Sequence, residues 1–220
     1  MIKRLFDILF ALFWLTLLAA PLLIIMIVLK CTGEHKVWFL QERVGQHGKR
    51  FKVFKFVTMV SNAEHVGNKD ITLRNDPRVL PVGKVLRKAK LNEVPQIINI
   101  LIGNMSVVGW RPLMPKSFDY YSPEIQEKIV NMKPGLTGIG SIVFRDEESI
   151  TERANKPPAD VYREDIAPYK GRLELWYQDN QTFILDTKIV LLTALAVLKP
   201  GSRLHEKWLA GMPPRPESLG

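Results

Sequence analysis

From Ile8 to Leu29 the chain carries no charged residue, about 22 positions that follow directly on Lys3, Arg4 and Asp7. A run of roughly 18 or more apolar residues is long enough to cross the ~30 Å hydrocarbon core of a bilayer. Pro21 sits inside it. Proline lacks a backbone donor and clashes with the preceding turn, so it kinks or breaks a helix interior. In lipid the freed backbone groups find no water, which makes a break costly within a clean span. The piece before it, Ile8–Ala20, makes only about 20 Å of helix. A Pro21-broken, re-entrant membrane helix is therefore expected over residues 1–30.

The flanks agree. Lys3 and Arg4 precede the run, and Lys30 and Lys36 follow it, within a chain of net charge +9. Basic residues beside a membrane segment mark the cytoplasmic side and attract anionic lipid. Basic flanks at both ends fit a segment that enters and leaves on one face. A cleaved signal peptide fits poorly, because its apolar core is shorter and ends at a small-x-small site. Cys31 is the single cysteine, so no intrachain disulfide can form, as in a reducing compartment. The four histidines share no metal-ligand spacing.

Beyond the run the pattern is mixed α+β. Val37–Leu40 and Phe51–Phe56 flank the glycines Gly45 and Gly48, and the second alternates apolar and basic residues, as a half-buried hairpin strand does. Residues 61–76 read as a loop and Val79–Leu91 as a basic helix. Pro95 suits a first helical turn, with Asn92 as N-cap and Gly103 as terminator. Another helix starts at Ser122-Pro123, and Asn155–Ala159 reads as a linker. Phe183–Leu198 is apolar but short for a span, hence an interfacial or core helix ending at Pro200-Gly201. The division expected is a membrane helix (1–30), a catalytic domain with interfacial amphipathic helices and a small sheet (31–200), and a C-terminal tail (201–220), proline-rich and disordered after Ala210.

Chemistry concentrates near residue 92. Asn92-Glu93 follows Arg87, Lys88 and Lys90, and Arg111 comes soon after. Cations around one carboxylate at a helix start suit a diphosphate and its divalent ion. A capped helix with a solvated basic face accounts for the same residues. The Gly135–Gly140 stretch reads equally as a phosphate cradle and as a plain turn. No nucleic-acid motif is present.

The order of blocks decides between such readings. Lys3-Arg4-Leu5-Phe6-Asp7, Gln41-Glu42-Arg43-Val44-Gly45, Phe51 through Met59, Asp76-Pro77-Arg78, Leu86-Arg87, Leu91-Asn92-Glu93-Val94-Pro95-Gln96, Gly103 through Leu113, Lys133 through Gly138 and Arg145 follow one another. In this order they resemble the bacterial sugar transferases that are monotopic phosphoglycosyl transferases, from Lys3 to about Leu198. The resemblance implies transfer of a sugar 1-phosphate from a UDP-sugar to polyprenyl (undecaprenyl) phosphate, with UMP leaving. It implies Mg²⁺ held by Glu93, phosphate bound by Arg87, Arg111 and Arg145, and a helix broken near Pro21; Lys55, on the alternating strand, suits substrate phosphate and a solvated or lipid-facing role equally. It places the catalytic domain on the cytoplasmic face of the bacterial inner membrane, at the first membrane step of surface glycan assembly, and leaves homo-oligomers open.

One position departs from that family. Asn92 stands where the family has a nucleophilic Asp, and an amide is a far poorer nucleophile than a carboxylate. Direct transfer, a displaced nucleophile such as Asp146 or Glu147, and an inactive paralogue or lipid-intermediate scaffold are the alternatives. Val57 replaces an Arg, Trp110 the first Pro of a Pro-Arg-Pro turn, and Ser141 a Gln. Trp110 suits either the membrane interface or the core. Glu174-Leu175-Trp176-Tyr177 reads as structural.

Overall fold

The computed structural model describes residues 2–61, 63, 76–154, 156–199, 202 and 204–219, with the side chains of Glu148, Glu152, Leu198 and Ser218 left out. Most of the expected 61–76 loop, and Pro200-Gly201, lie outside these residues. The architecture is α+β. Contacts divide the chain into two units, Met1–Glu42 with Lys52–Gly103, and Arg43–Phe51 with Asn104–Gly220.

The first unit begins with α1 (Ile2–Leu17) and α2 (Ala19–Cys31), which meet at a 63° bend. No single described helix is long and apolar enough to cross a membrane; this bent pair passes by length and composition. The break falls at Leu18 (φ −93°, ψ 3°), not at Pro21. Pro21 is the cause from a distance. Its missing N–H and its ring deny the carbonyl four residues earlier, Leu17, its helical partner, so α1 must end there. Leu18 still donates to the Trp14 carbonyl and accepts from Leu22, so few backbone groups are wasted. Pro21 then sits in the first turn of α2, where a proline is tolerated.

Both ends of this helix pair are fastened inside the first unit. The Arg4 guanidinium donates to the carbonyls of Ile100 (2.6 Å) and Leu101 (2.8 Å), the last turn of a helix over Gln96–Ile102. The Ile100 carbonyl also accepts from the Gly103 N–H, and a cation at this C-terminus complements the helix dipole as well. At the other end Leu29 is buried with Phe56 and Leu86, against Leu22, Ile25 and Met26.

Two strands, β1 (Trp38–Val44) and β2 (Arg50–Phe56), are hydrogen-bonded neighbours joined at a turn where Gly45 donates to the Lys49 carbonyl. They match the expected hairpin. After the undescribed segment, Asp76 and Arg78 form a buried bidentate pair (Nη2–Oδ2 2.6 Å). Next come α3 (Pro81–Lys88), a single 3₁₀ turn (Leu91–Glu93) and α4 (Gln96–Ile102), which Gly103 ends at φ 101°. Asn92 is not an N-cap. It lies inside the 3₁₀ turn, and three-residue hydrogen bonds from Val94, Ile97 and Ile98 carry the chain into α4 without a side-chain cap. Asn99, fully buried, fixes α4 to the strand. Its Oδ1 accepts from Phe54 N–H (3.0 Å) and its Nδ2 donates to the Lys52 carbonyl (2.8 Å).

The second unit holds a parallel pair, β3 (Ser106–Val108) and β4 (Gly135–Thr137), in register Ser106 to Gly135. The glycines expected in a loop or phosphate cradle serve this crossing. A Cβ on Gly135 would lie 2.1 Å from the Gly109 nitrogen, and one on Gly138 2.0 Å from its oxygen. The Gly109 and Gly135 amides are spent on Thr137 and Trp110 carbonyls. Around the pair lie α5 (Pro115–Phe118), α6 (Pro123–Ile129, capped by Ser122 as expected), α7 (Ile139–Val143), α8 (Glu147–Arg153), α9 (Pro158–Val161), a π-turn into α10 (Ala167–Asp179), α11 (Phe183–Leu198) and α12 (Leu204–Trp208). Trp110 is a core residue, wholly buried beside Phe118, with Nε1 donating to the Met132 carbonyl. The tail is not disordered. Leu209 and Leu219 are buried, and Tyr169 donates to the Pro213 carbonyl.

Replacing Asn99 with Ala leaves the part-buried Phe54 donor and Lys52 acceptor without this partner, at about 1–2 kcal/mol each. We expect Asn99→Ala to lower unfolding free energy by about 2–4 kcal/mol; a loss under about 0.5 kcal/mol in denaturant titration would show that the amide does not pin α4.

Candidate active site

In the first unit, β2 and the 3₁₀ turn bring Lys55 and Glu93 together. Lys55 Nζ lies 3.8 Å from Glu93 Oε1, an ion pair rather than a hydrogen bond, and donates to Gln41 Oε1 of β1 at 3.3 Å. The side chains of Lys55 and Glu93 are 15% and 21% exposed, screened from bulk water but reachable. The turn that delivers Glu93 is tight. α3 ends at Lys88, and Lys90 adopts the left-handed conformation (φ 58°, ψ 16°), uncommon for a lysine and costing of order 1–2 kcal/mol. That reversal returns Leu91 to the Phe56–Leu86 core, buries Asn92 and leaves Glu93 half-buried. Arg87, in the last turn of α3, is half-buried on the same unit. Gln41 was missed in the sequence as a site residue; its pairing with Lys55 across the hairpin is the signal that could have found it.

The second unit holds Arg111, Arg145 and Asp146. Arg145 is half-buried, and Asp146 is exposed at the start of α8. Around Arg111 lies a buried charge cluster that sequence reasoning did not assemble. Lys170 is 3% exposed, bonds Glu147 at 2.6 Å, and sits 5.2 Å and 5.4 Å from the Phe144 and Tyr162 rings. Burial works against its charge, but Glu147 more than compensates and holds the ammonium above its usual pKa. Arg111 and Arg43 both favour ionisation of the Tyr162 hydroxyl, which burial opposes. One turn on from Lys170, Glu174 is 1% exposed, and neither carboxylate oxygen makes a hydrogen bond of good geometry. Burial pushes it up to about 8; Lys170 and the backbone amides of Arg111 and Gly140, directed toward the carboxyl, offset this only in part. A Cβ at Gly140 would meet Glu174 Oε1, so the carboxyl would have to shift to admit any other residue there. The rest of that block is structural, as expected: Tyr177 is fully buried and donates to Asp186 Oδ1.

Two separate pieces of polar chemistry thus stand on a mixed scaffold, a Lys–Glu pair beside a buried Asn and an Arg–Lys–Glu cluster. The model of the family described as bacterial sugar transferase matches residues 1–200. The chain belongs to the bacterial sugar transferase family. It is 34% identical over 90% of its length to an uncharacterised sugar transferase of Bacillus subtilis, covering 87% of that protein. It is 32% identical over 90% of its length to the undecaprenyl-phosphate galactose phosphotransferase of Salmonella typhimurium. It is 36% identical over 87% to the UDP-glucose:undecaprenyl-phosphate glucose-1-phosphate transferase of Klebsiella pneumoniae. It spans only about 40% of the length of the last two proteins. Within this sugar transferase, Glu93 is one carboxylate beside one amide, and the described residues contain no cluster of three His, Cys, Asp or Glu. That donor set fits Mg²⁺, which takes one or two carboxylates and fills its remaining positions with water and substrate phosphate.

A carboxyl whose folded pKa is raised binds its proton more tightly folded than unfolded. Its contribution to stability is intact below the ordinary value of 4.5 and is lost as pH rises from there to about 8. Glu174→Gln removes that loss. We expect the stability of Glu174→Gln relative to wild type to climb by more than about 1 kcal/mol between pH 5 and 8 and then to level off. Parallel stability-versus-pH curves would show that Glu174 titrates normally.

Proposed function

We propose that this chain transfers a sugar 1-phosphate from a UDP-sugar to polyprenyl phosphate, releasing UMP, as the first membrane step of surface glycan assembly. The observation that carries it is the screened Lys55–Glu93 pair beside Asn92, on a chain of the bacterial sugar transferase family. Phosphoryl transfer demands positioning and charge neutralisation above all. Lys55 supplies an ammonium for phosphate oxygens, and Arg87, six residues before Glu93, belongs to the same unit; the family resemblance adds Arg111 and Arg145 as phosphate binders. Glu93, with the Asn92 amide oxygen, would hold Mg²⁺, which when bound neutralises diphosphate charge.

Asn92 offers no carboxylate to take up the phosphosugar. The reading that follows is direct transfer. An oxygen of the acceptor phosphate attacks the β-phosphorus of the donor, and the bond from that phosphorus to the bridging oxygen breaks. UMP leaves with the electron pair. Glu93→Gln is expected to lower UMP release at least 100-fold, whereas Asn92→Asp keeps or raises it. Both are read with UDP-glucose and UDP-galactose, Mg²⁺ and undecaprenyl phosphate. A radiolabelled phosphosugar adduct on Asp146 would replace direct transfer with a displaced nucleophile. Absence of UMP with a broad donor panel would favour a scaffold.

The membrane reading is re-entrant, on the cytoplasmic face. Arg4 and Leu29, near the two ends of the α1–α2 pair, both pack on the first unit. With arms of about 24 and 20 Å meeting at a 63° bend, a symmetric V descends roughly 10–13 Å, less than half of a ~30 Å core. Leu9, Phe13, Leu17, Leu23 and Ile24 are exposed around the bend, as lipid contact requires. Trp38 and Phe39 suit the interface that follows, and α11 exposes Phe183, Ile184 and Leu191 while burying Ile189 and Leu192. Cys31 is exposed at the end of α2, a native probe. An impermeant maleimide should label Cys31, and Lys3→Cys in a Cys31→Ser background, only from the cytoplasmic side. Labelling of the two from opposite sides would convert the V into a span.

A further inference from the structure

Where α2 leaves its apolar run, the first unit contains a cavity of about 250 Å³. Leu29, Gly33, Val57, Leu80, Pro81 and Val82 line it. Its charge is confined to Glu34 and Lys36, and both are engaged: Lys36 donates to Ser61 Oγ at 3.0 Å, and that hydroxyl donates to Glu34 Oε2 at 2.5 Å. The cavity therefore has apolar walls and no uncommitted cation for a headgroup. Its volume falls below the ~300–1,000 Å³ typical of pockets that enclose a whole small ligand, so it suits a segment of a longer apolar chain.

Its place in the fold says which chain. Val57 follows Lys55 by two residues on extended backbone that still pairs, Val57 donating to the Val37 carbonyl. The Val57 backbone thus stands within about 7 Å of the Lys55 backbone along the strand. α3 runs from Pro81 and Val82 at the cavity to Arg87 at its far end. Leu29 and Thr32 bring in the last turn of the apolar helix pair. An amphiphile with its phosphate at Lys55 and its tail leading toward the membrane segment would pass this cavity first.

We propose that the cavity bounded by Leu29, Val57, Leu80 and Val82 is an acceptor subsite that takes the isoprene units next to the phosphate of polyprenyl phosphate. The inference rests on the transferase reading and adds a specificity surface to it. Val57 thereby has a use that a charged side chain would spoil, since an ion in an apolar cavity without a partner is strongly disfavoured.

Two measurements test it on the full chain in lipid nanodiscs. The first needs no sugar donor. Undecaprenyl phosphate carrying a diazirine on the isoprene unit nearest the phosphate should label peptides containing residues 29–36 or 80–82, and unlabelled undecaprenyl phosphate should compete. Labelling elsewhere, or equal labelling by a diazirine-acyl phospholipid that polyprenyl phosphate does not displace, overturns the subsite. The second uses Val82→Trp, which fills the cavity, and Leu80→Phe should the first not fold. Either should raise KM for undecaprenyl phosphate at least tenfold, with KM for UDP-glucose or UDP-galactose moving less than twofold. It should raise KM for a two-isoprene acceptor phosphate as well, because the subsite takes the units next to the phosphate. An unchanged KM for both acceptors overturns the proposal. A chain that cross-links but never releases UMP keeps the subsite and loses the transferase reading.

Discussion

One buried amide ties α4 to the hairpin in the first unit. Asn99 reaches from α4 to the backbone of β2 on either side of Val53, accepting from Phe54 and donating to Lys52. A side chain has taken the place of a neighbouring strand. Because α4 follows the Leu91–Glu93 turn and β2 carries Lys55, that one contact sets the separation of the two charged groups. Leucine or valine could have filled the space, but an apolar side chain would have left a strand donor and acceptor dry and unpaired. Arg4 fixes the far end of the same helix by bonding its last carbonyls. Glu93 thus stands ahead of a helix held at mid-length by the hairpin and at its C-terminus by the segment assigned to the membrane.

This arrangement gives the left-handed Lys90 a reason. An ordinary helix through residues 79–102 would have carried Glu93 along a continuous axis. Instead the chain reverses at Lys90, tucks Leu91 into the core and restarts after Pro95. Strain of this kind persists where surrounding contacts over-determine it, commonly beside functional groups. The same tension shows at Glu174, a carboxyl without good hydrogen bonds, enclosed by a glycine turn and the Arg111 backbone. Both features concern the backbone near residues assigned to phosphate chemistry.

Periodicity and punctuation made much of this legible. The apolar run, the hairpin, the Ser122 and Gly103 helix boundaries and the α11 segment follow from local rules that tertiary packing did not override. The break of the first helix did not fall where the proline stands, because proline acts on the carbonyl four residues behind it. The parallel β3–β4 pair was illegible for a different reason. Its strands have three residues each and join positions about 30 apart, and their glycines look like turn residues until the partner backbone is present. The tail read as disordered by composition, but composition cannot register that Tyr169 and a buried Leu219 hold it. In the site, Glu93, Lys55 and Arg111 stood out as charges among motif residues. Gln41, Asn99 and Lys170 did not, since an amide on a strand or a lysine on a helix signals nothing until its neighbours are known.

The Asn92 position sharpens the chemical argument. Asn92 is buried in a 3₁₀ turn, next to Glu93 and two residues after Lys90, on the unit that carries Lys55. An aspartate there would bring the nucleophile a two-step exchange needs. An asparagine keeps the shape and the oxygen but removes one negative charge. Under the proposed function the turn carries one negative charge fewer, which eases the approach of a second phosphate. Direct transfer demands that double occupancy, because donor and acceptor phosphates must lie in line before any bond breaks. Under the proposed direct transfer, the loss of a nucleophile and the loss of one negative charge facing a second phosphate are therefore the same substitution.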